Sequence, residues 1–145
     1  MYELLVHRLK TEEGYSSKLY RDTSDKVGFE GKKGKVTIGW GYNIDDRGLP
    51  EDICEELFRR TLNESVREVE KNIPWSENLD AARREVLVEM AFNQGITSLL
   101  TFKGTLGALQ RGQYAEAAGH LRDSLAYRQL PKRYEALAQT LEKGV

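Results

Sequence analysis

The stretch that most constrains the fold is residues 11–43, where the pattern predicts the end of a helix followed by short strands. Apolar residues recur at helical spacing up to Glu13, which predicts an N-terminal helix. Gly14 can adopt the left-handed conformation that closes a helix at low cost, so we expect the helix to end there and to deliver Glu13. Residues 18–43 predict two or three strands with an extended turn from Ser24 to Lys35.

Three side chains of this stretch can carry chemistry: the carboxylates of Glu13 and Asp22 and the hydroxyl of Thr37. Hydrolysis of a glycosidic bond needs one carboxyl that donates a proton to the leaving oxygen, and a second, ionised group that activates or positions water. The surroundings in sequence differ as this chemistry requires, since Glu13 follows an apolar helix and Asp22 lies among polar turn residues. The pattern favours hydrolysis of a glycosidic bond.

Each of the three residues also has a plain structural explanation. A Glu before a helix-ending glycine is usually just exposed, an Asp followed by Thr commonly caps a turn, and a Thr in a strand usually packs. Their joint occurrence at this spacing is what favours a site over these explanations.

The motifs Glu13-Gly14, Leu19 to Thr23 and Thr37 to Gly41 resemble the catalytic segment of the phage-type lysozymes, the bacteriophage endolysins that cut peptidoglycan. The spacing from Glu13 to Asp22 matches the family without a gap. The distance from Asp22 to Thr37 is longer than is usual for the family, because of the extended turn between them.

Motifs of the second half extend the resemblance to nearly the full chain. In order, they are Asn78 to Arg84, Ala91 to Gly95, Thr101-Phe102 and Gln129 to Arg133. Each motif is loose by itself, but their order and spacing behind the catalytic segment make the combined match specific.

Apolar periodicity predicts that the rest of the chain is helical. Residues 51–73 hold apolar side chains three to five residues apart, with acids in the first turn, which predicts one long helix. A buried central helix follows, capped by Asn78 or Asp80 and ending near Gly95. We predict further short helices at residues 97–100, 103–111, 114–124 and 132–143, the last opened by Pro131.

The resemblance implies a lysozyme-like α+β fold. We expect a single lysozyme domain over residues 1–145, with a catalytic lobe at about 13–50 that contains a short antiparallel β-sheet. A connecting helix is expected at about 51–73. An all-helical lobe at about 78–145 is expected to pack with the N-terminal helix, residues 2–12.

The resemblance also implies roles for the site residues. Glu13 would protonate the departing oxygen of the β-1,4 bond between N-acetylmuramic acid and N-acetylglucosamine, while Asp22 and Thr37 would position the attacking water. The family inverts the anomeric centre, so the two carboxyls should lie about 6.5–9.5 Å apart to leave room for that water. Arg133 would pair with Glu13 across the cleft.

Five further positions match places where the family binds the glycan. They are Asn43, Phe92, Asn93, Thr105 and His120. Core packing is an equal alternative for Phe92, and surface exposure is slightly preferred for His120.

The composition argues against other classes of protein. Lys plus Arg number 22 and Asp plus Glu number 23, so the charge gives no argument for nucleic acid and we expect no such partner. Cys54 is the only cysteine, which excludes an intramolecular disulfide and predicts a half-buried core thiol in a helix.

Three weak motif matches do not support a cofactor. The glycines of residues 31–35 have the wrong spacing for a phosphate-binding loop, and residues 39–41 lack the third glycine and the helix of a dinucleotide site. A calcium-like loop from Asn43 places Arg47 at a ligand position. We therefore expect no metal and no other cofactor.

The N-terminus has no basic start followed by an apolar run, so we expect no signal peptide, and no segment predicts stable membrane insertion. We expect a monomer made in the bacterial host cytoplasm that acts on peptidoglycan glycan strands of the wall after release. The leading interpretation is an endolysin that lyses the host at the end of phage infection, or the same gene resident in a bacterial chromosome.

Two alternatives stay open. A lytic transglycosylase cleaves the same bond without water, and the water-positioning pair Asp22 and Thr37 argues against it. A catalytically silent wall-binding module would keep the fold alone, and retention of all three catalytic residues argues against that.

Overall fold

The computed structural model describes residues 2–21 and 34–145. The chain divides into two compact units, Met1–Glu55 (the N-terminal unit) and Glu56–Val145 (the C-terminal unit). Asp22 and most of the extended turn predicted from Ser24 to Lys35 lie outside the described residues.

The N-terminal unit combines a helix with a three-stranded antiparallel sheet of order β1-β2-β3. Its elements are α1 (Glu3–Glu13), β1 (Ser16–Arg21), β2 (Val36–Gly39), β3 (Tyr42–Asn43) and α2 (Ile44–Arg47). The first helix ends where the sequence predicts. Gly14 has φ 68°, and its N–H donates to the carbonyl of Lys10 at 3.1 Å. Together with the helices of the second unit, this sheet confirms the predicted α+β fold.

The register of the sheet places three side chains on one face. Thr37 in the central strand is the Cα partner of Tyr20 in β1 and of Asn43 in β3. Directly opposed residues of antiparallel strands project to the same side, so Tyr20, Thr37 and Asn43 share a face.

The short helix α2 was not predicted, and side chains of its own segment hold it to the sheet. Asn43 caps it by accepting from the N–H of Asp46 at 3.1 Å, and Asp45 accepts from the N–H of Val36 at 2.8 Å. Lys35 donates to Asp46 at 2.7 Å. That hydrogen bond lowers the pKa of the Asp46 carboxyl and raises the pKa of the Lys35 ammonium.

The long predicted helix is confirmed as α3 (Glu51–Asn72). A 3₁₀ turn at Pro74–Asn78 separates it from α4 (Ala81–Gln94), the predicted central helix. Asp80 caps α4 by accepting from the N–H of Arg83 at 3.0 Å, and Gly95 ends it. Of the two predicted caps, Asn78 and Asp80, the cap is Asp80, because its carboxylate reaches a free N–H of the first turn.

Five shorter helices complete the described part of the C-terminal unit. They are α5 (Ile96–Leu99), α6 (Lys103–Gln110), α7 (Tyr114–Arg122), α8 (Leu125–Gln129) and α9 (Pro131–Lys143). The prediction of one helix over 114–124 is wrong at its end, because Ser124 accepts from the N–H of Tyr127 at 3.1 Å and starts α8 instead. Pro131 opens α9 and Gly144 ends it, both as expected.

The buried core of the C-terminal unit gathers around α4, α7 and α9. Residues exposed by 1% or less include Val69, Leu87, Met90, Leu99, Leu109, Leu121 and Leu141. Arg83 is buried and joins α4 to the end of α9, with Nε donating to the carbonyl of Leu141 at 2.6 Å and a terminal nitrogen donating to the carbonyl of Glu142 at 2.9 Å. Its guanidinium also lies over the ring of Tyr114, 3.5 Å from the centroid.

The prediction for Cys54 is wrong, because the thiol is exposed. Its neighbour Ile53 is 45% exposed, and every residue of the first turns of α3 is exposed as well. A position in a helix implies burial only where another element covers that turn.

Candidate active site

Glu13 is the last residue of α1 and lies at a shallow depression in the N-terminal unit. The depression has a volume of about 250 Å³ and is lined by Glu13, Gly14, Tyr15, Ser16 and Tyr20. The side chain of Glu13 is exposed, so its carboxyl can meet a molecule that enters from solvent.

The turn between β2 and β3 lies directly against Glu13. A methyl group added at Gly41 would lie 2.8 Å from the carboxyl carbon of Glu13 and closer still to Oε2. Trp40, the residue before Gly41, makes two contacts. The ammonium of Lys10 lies 4.2 Å from the centroid of its ring, and the ring of Tyr15 lies 4.8 Å away, centroid to centroid. Trp40 of the turn therefore contacts residues on both sides of the acid along the chain, Lys10 before it and Tyr15 after it.

Thr37 is 4% exposed, and its hydroxyl donates to the carbonyl of Lys35 at 3.1 Å. It shares a sheet face with Tyr20, which lines the depression beside Glu13. Tyr20 thus neighbours both residues, Glu13 at the depression and Thr37 across the sheet. Asp22, the third predicted catalytic residue, lies outside the described residues, so its position relative to them stays a prediction.

Asn43 shares that face but uses its amide within the chain. Oδ1 accepts from the N–H of Asp46, and Nδ2 donates to the carboxylate of the same residue at 2.9 Å. Capping α2 is therefore a structural role that the sequence did not predict, and contact with the glycan stays a prediction.

Phe92 and Asn93 lie on α4 in the C-terminal unit. Phe92 is half-buried, and its ring meets that of Phe58 edge to face at 5.6 Å between centroids. Both rings line an apolar groove of about 750 Å³ between α3 and α4. Asn93 is exposed. Phe92 thus packs against another partly exposed ring and lines the groove.

Thr105 and His120 come together at one pocket of about 300 Å³, which Lys103 and Gly104 also line. Thr105 is only 2% exposed, whereas the imidazole of His120 is exposed, as expected, and lies 3.4 Å from the carboxylate of Glu116. Two residues from separate helices therefore line one pocket within the C-terminal unit, and their contact with the glycan stays a prediction.

Arg133 lies exposed near the start of α9 and lines a groove of about 470 Å³ with Glu85 and Glu89 of α4. Its predicted pairing with Glu13 joins residues of the two units and stays a prediction.

Three residues around the acid were not predicted from the sequence: Lys10, Tyr15 and Trp40. Gly41 lies where the sequence predicts a bend or close backbone approach, because Gly39 and Gly41 interrupt a run of β-branched and aromatic residues. Within residues 2–21 and 34–145, no group of three or more His, Cys, Asp or Glu side chains could hold a metal ion. None of the helices in those ranges is long and apolar enough to cross a bilayer.

A small antiparallel sheet after an acid-bearing helix, followed by an all-helical unit, defines a lysozyme-like protein. The model of the phage lysozyme family matches residues 10–137, and the chain belongs to that family. The resemblance seen in the motifs is thereby confirmed.

Two relatives from Dictyostelium discoideum match nearly the whole chain. "Probable T4-type lysozyme 1" is 28% identical over an alignment of 173 positions, which covers 99% of this chain and 96% of that protein. "Probable T4-type lysozyme 2" is 27% identical over 164 positions, with 99% and 96% covered. The family and both relatives support a lysozyme-like hydrolase.

Proposed function

We propose that this protein is a muramidase that hydrolyses the β-1,4 bond between N-acetylmuramic acid and N-acetylglucosamine in bacterial peptidoglycan. The observation that carries the proposal is the carboxyl of Glu13, exposed at the end of α1 in a solvent-open depression that is also lined by Tyr20, the strand partner of Thr37. Membership in the phage lysozyme family supports the same reaction.

Glu13 acts as the general acid in this proposal. It stands at the end of an eleven-residue helix, and the N–H of Gly14 closes the last turn by donating to Lys10. A proton donor on a regular element keeps its place relative to the bond that breaks. General acid catalysis contributes roughly 10²- to 10⁴-fold to the rate, so contacts with the sugar ring must supply the remainder.

Thr37 and Asp22 position and activate the attacking water. The hydroxyl hydrogen of Thr37 is already donated to the carbonyl of Lys35, which leaves the oxygen lone pairs to accept from a water. Asp22 supplies the ionised carboxylate that takes the proton of that water. Attack from the face opposite the leaving oxygen gives inversion, with the carboxyls about 6.5–9.5 Å apart.

The glycan strand is bound by residues of both units in this proposal. The expected contacts are Asn43, Phe92, Asn93, Thr105 and His120, with Arg133 paired to Glu13. The shared pocket of Thr105 and His120 supports part of this set, because Lys103 at its edge adds a donor for acetyl or carboxylate oxygens.

Mass analysis of digested peptidoglycan tests the reaction. Hydrolysis releases fragments with reducing muramic ends. Anhydro ends, lighter by one water, would instead identify a lytic transglycosylase, and binding without fragments would identify a silent wall-binding module. The anomer formed first, followed by NMR, should be the inverted one, and a retained anomer would refute the water-positioning roles.

Glu13→Gln tests the acid directly. It removes the proton donor at nearly constant volume, so clearing of purified walls should fall by roughly 10²-fold or more. Glu12→Gln is the matched control, because Glu12 is the exposed acid beside it on α1. Equal activity of Glu13→Gln and wild type would refute the assignment.

The biological role that we propose is lysis of a bacterial host from within, by a cytoplasmic monomer that needs no metal or nucleic acid. Expression in a bacterium should therefore leave the culture intact until the inner membrane is permeabilised, and should then clear it. The Glu13→Gln variant should clear nothing. Lysis without permeabilisation would contradict the cytoplasmic location, and loss of activity in EDTA would contradict metal independence.

A further inference from the structure

The carboxyl of Glu13 lies close to a residue that has no side chain, Gly41. A Cβ atom built on Gly41 would meet three atoms of Glu13: Oε2, the carboxyl carbon at 2.8 Å and Cγ at 3.3 Å. Separations below 3.0 Å essentially never occur for real Cβ atoms. The carboxyl of Glu13 therefore occupies the space that any other residue at position 41 would fill.

The backbone around Gly41 is held in place by the aromatic residue before it. Trp40 contacts Lys10 one turn before the acid and Tyr15 just after it, through a cation–π contact and a tilted ring pair. Such contacts contribute on the order of 0.5–1 kcal/mol each at exposed sites. Because both contacts reach the end of α1, the turn keeps its position relative to Glu13.

Gly41 can make this approach because of its conformation as well as its size. Its φ is 72°, and that of Gly39, at the other side of Trp40, is 69°. Both glycines occupy the left-handed region that other residues rarely adopt. The two differ in one respect, since a Cβ at Gly39 would meet nothing within 4 Å.

We propose that Gly41 is a positioning residue that sets where the carboxyl of Glu13 lies. This inference rests on the proposed role of Glu13 as general acid. With a glycine at 41, Oε2 lies against the backbone of the turn. With a methyl group there, the carboxyl must rotate away, and a displacement of about 1 Å at a reacting group can cost on the order of 10²-fold in rate.

The pair Gly41→Ala and Gly39→Ala separates positioning from backbone strain. Both substitutions place a methyl group at nearly the same positive φ, one on each side of Trp40, so the strain that arises from φ is similar in both. We expect Gly41→Ala to lower kcat about 10- to 100-fold with little change in KM, and Gly39→Ala to lower it no more than about threefold. Equal losses in kcat would overturn the proposal.

A spectroscopic measurement tests the same inference without relying on activity. In protein labelled with ¹³C at glutamate, the carboxyl carbon of Glu13 is assigned by its absence from Glu13→Gln, and its chemical shift is compared among the variants at one pH. Gly41→Ala should change that chemical shift, Gly39→Ala should not, and the chemical shift of Glu12 should stay constant in both. An unchanged chemical shift of Glu13 in Gly41→Ala would overturn the proposal.

The two experiments also keep the inference distinct from the proposed function. If Glu13→Gln keeps full activity, the general-acid role fails, whatever the glycine variants do. If Glu13→Gln is inactive while both alanine variants behave alike in kcat and in the chemical shift of Glu13, the role of Glu13 stands and the positioning role of Gly41 fails.

Discussion

Replacement of Arg83 should destabilise the C-terminal unit more than replacement of any exposed arginine. The guanidinium donates to two main-chain carbonyls at the end of α9, those of Leu141 and Glu142, and to the carboxylate of Asp80 at 2.7 Å. The last four carbonyls of a helix lack hydrogen-bond donors within the helix, and the Arg83 guanidinium donates to two of them. In Arg83→Met the apolar stem remains and all of these donors are lost.

The magnitude follows from which of these groups water can reach. Leu141 is fully buried, and leaving its carbonyl unpaired costs about 1–3 kcal/mol. The carbonyl of exposed Glu142 and the carboxylate of Asp80 are partly resolvated and cost less, while loss of the cation–π contact with Tyr114 adds about 1 kcal/mol. We expect a total loss in the free energy of unfolding of about 3–5 kcal/mol, or roughly 10 °C in Tm.

Urea unfolding followed by tryptophan fluorescence measures this loss. The chain has two tryptophans, so a Trp40→Phe background leaves Trp75, which packs against the core of the C-terminal unit, as the reporter. Arg83→Lys should recover part of the stability, because one ammonium can reach one of the acceptors. The control is Arg128→Met, at an exposed arginine of α8. If Arg83→Met costs less than about 1 kcal/mol, or no more than the control, the reasoning is refuted.

Three further predictions concern the pH dependence, the core and the sheet. Hydrogen bonds from Arg122 lower the pKa of Glu135 from 4.5 to about 2, so this carboxylate contributes stability above pH 4.5 that is lost as the pH falls toward 2. Urea midpoints measured between pH 6 and 2.5 should therefore fall less steeply in Glu135→Gln than in wild type, and equal slopes in the two proteins would contradict this. Leu87→Ala, at a fully buried site in α4, should lower the free energy of unfolding by about 2–5 kcal/mol in the same assay, and a loss below about 1 kcal/mol would show that the site collapses around the smaller residue. Asn43→Ala removes the cap of α2 and should destabilise the N-terminal unit by about 1 kcal/mol, whereas Asn43→Ser keeps a capping oxygen and should cost less; equal losses measured by hydrogen exchange of the sheet amides would argue that capping is not the role of this amide.

The sequence predicted best those features that depend on neighbouring residues. Gly14 closes α1 because a glycine adopts a positive φ at low cost, and Asp80 caps α4 because its carboxylate accepts from a backbone N–H of the first turn. Pro131 opens α9 for the same kind of reason, since its fixed φ suits the first turn of a helix. Where the chemistry of one residue was overlooked, the prediction failed locally, as at Ser124, whose hydroxyl starts a new helix.

The candidate site was predictable in part. Glu13 and Thr37 were identified from their order along the chain, and in the structure Tyr20 lines the depression with Glu13 and pairs with Thr37 across the sheet. Thr105 and His120 were identified by resemblance to the family and do line one pocket. The capping role of Asn43 was not visible, because it depends on where its amide points.

By itself, then, the sequence determined the family, the order of the elements and the ends of the main helices, because helix ends and motifs depend on residues a few positions apart. Only the tertiary structure decided that the acid of α1 lies against Gly41, that Arg83 reaches carbonyls 58 and 59 residues further along, and that Cys54 is exposed. The physical reason is that a contact between distant residues depends on the path of the whole chain between them. Local conformational preference carries no information about that path.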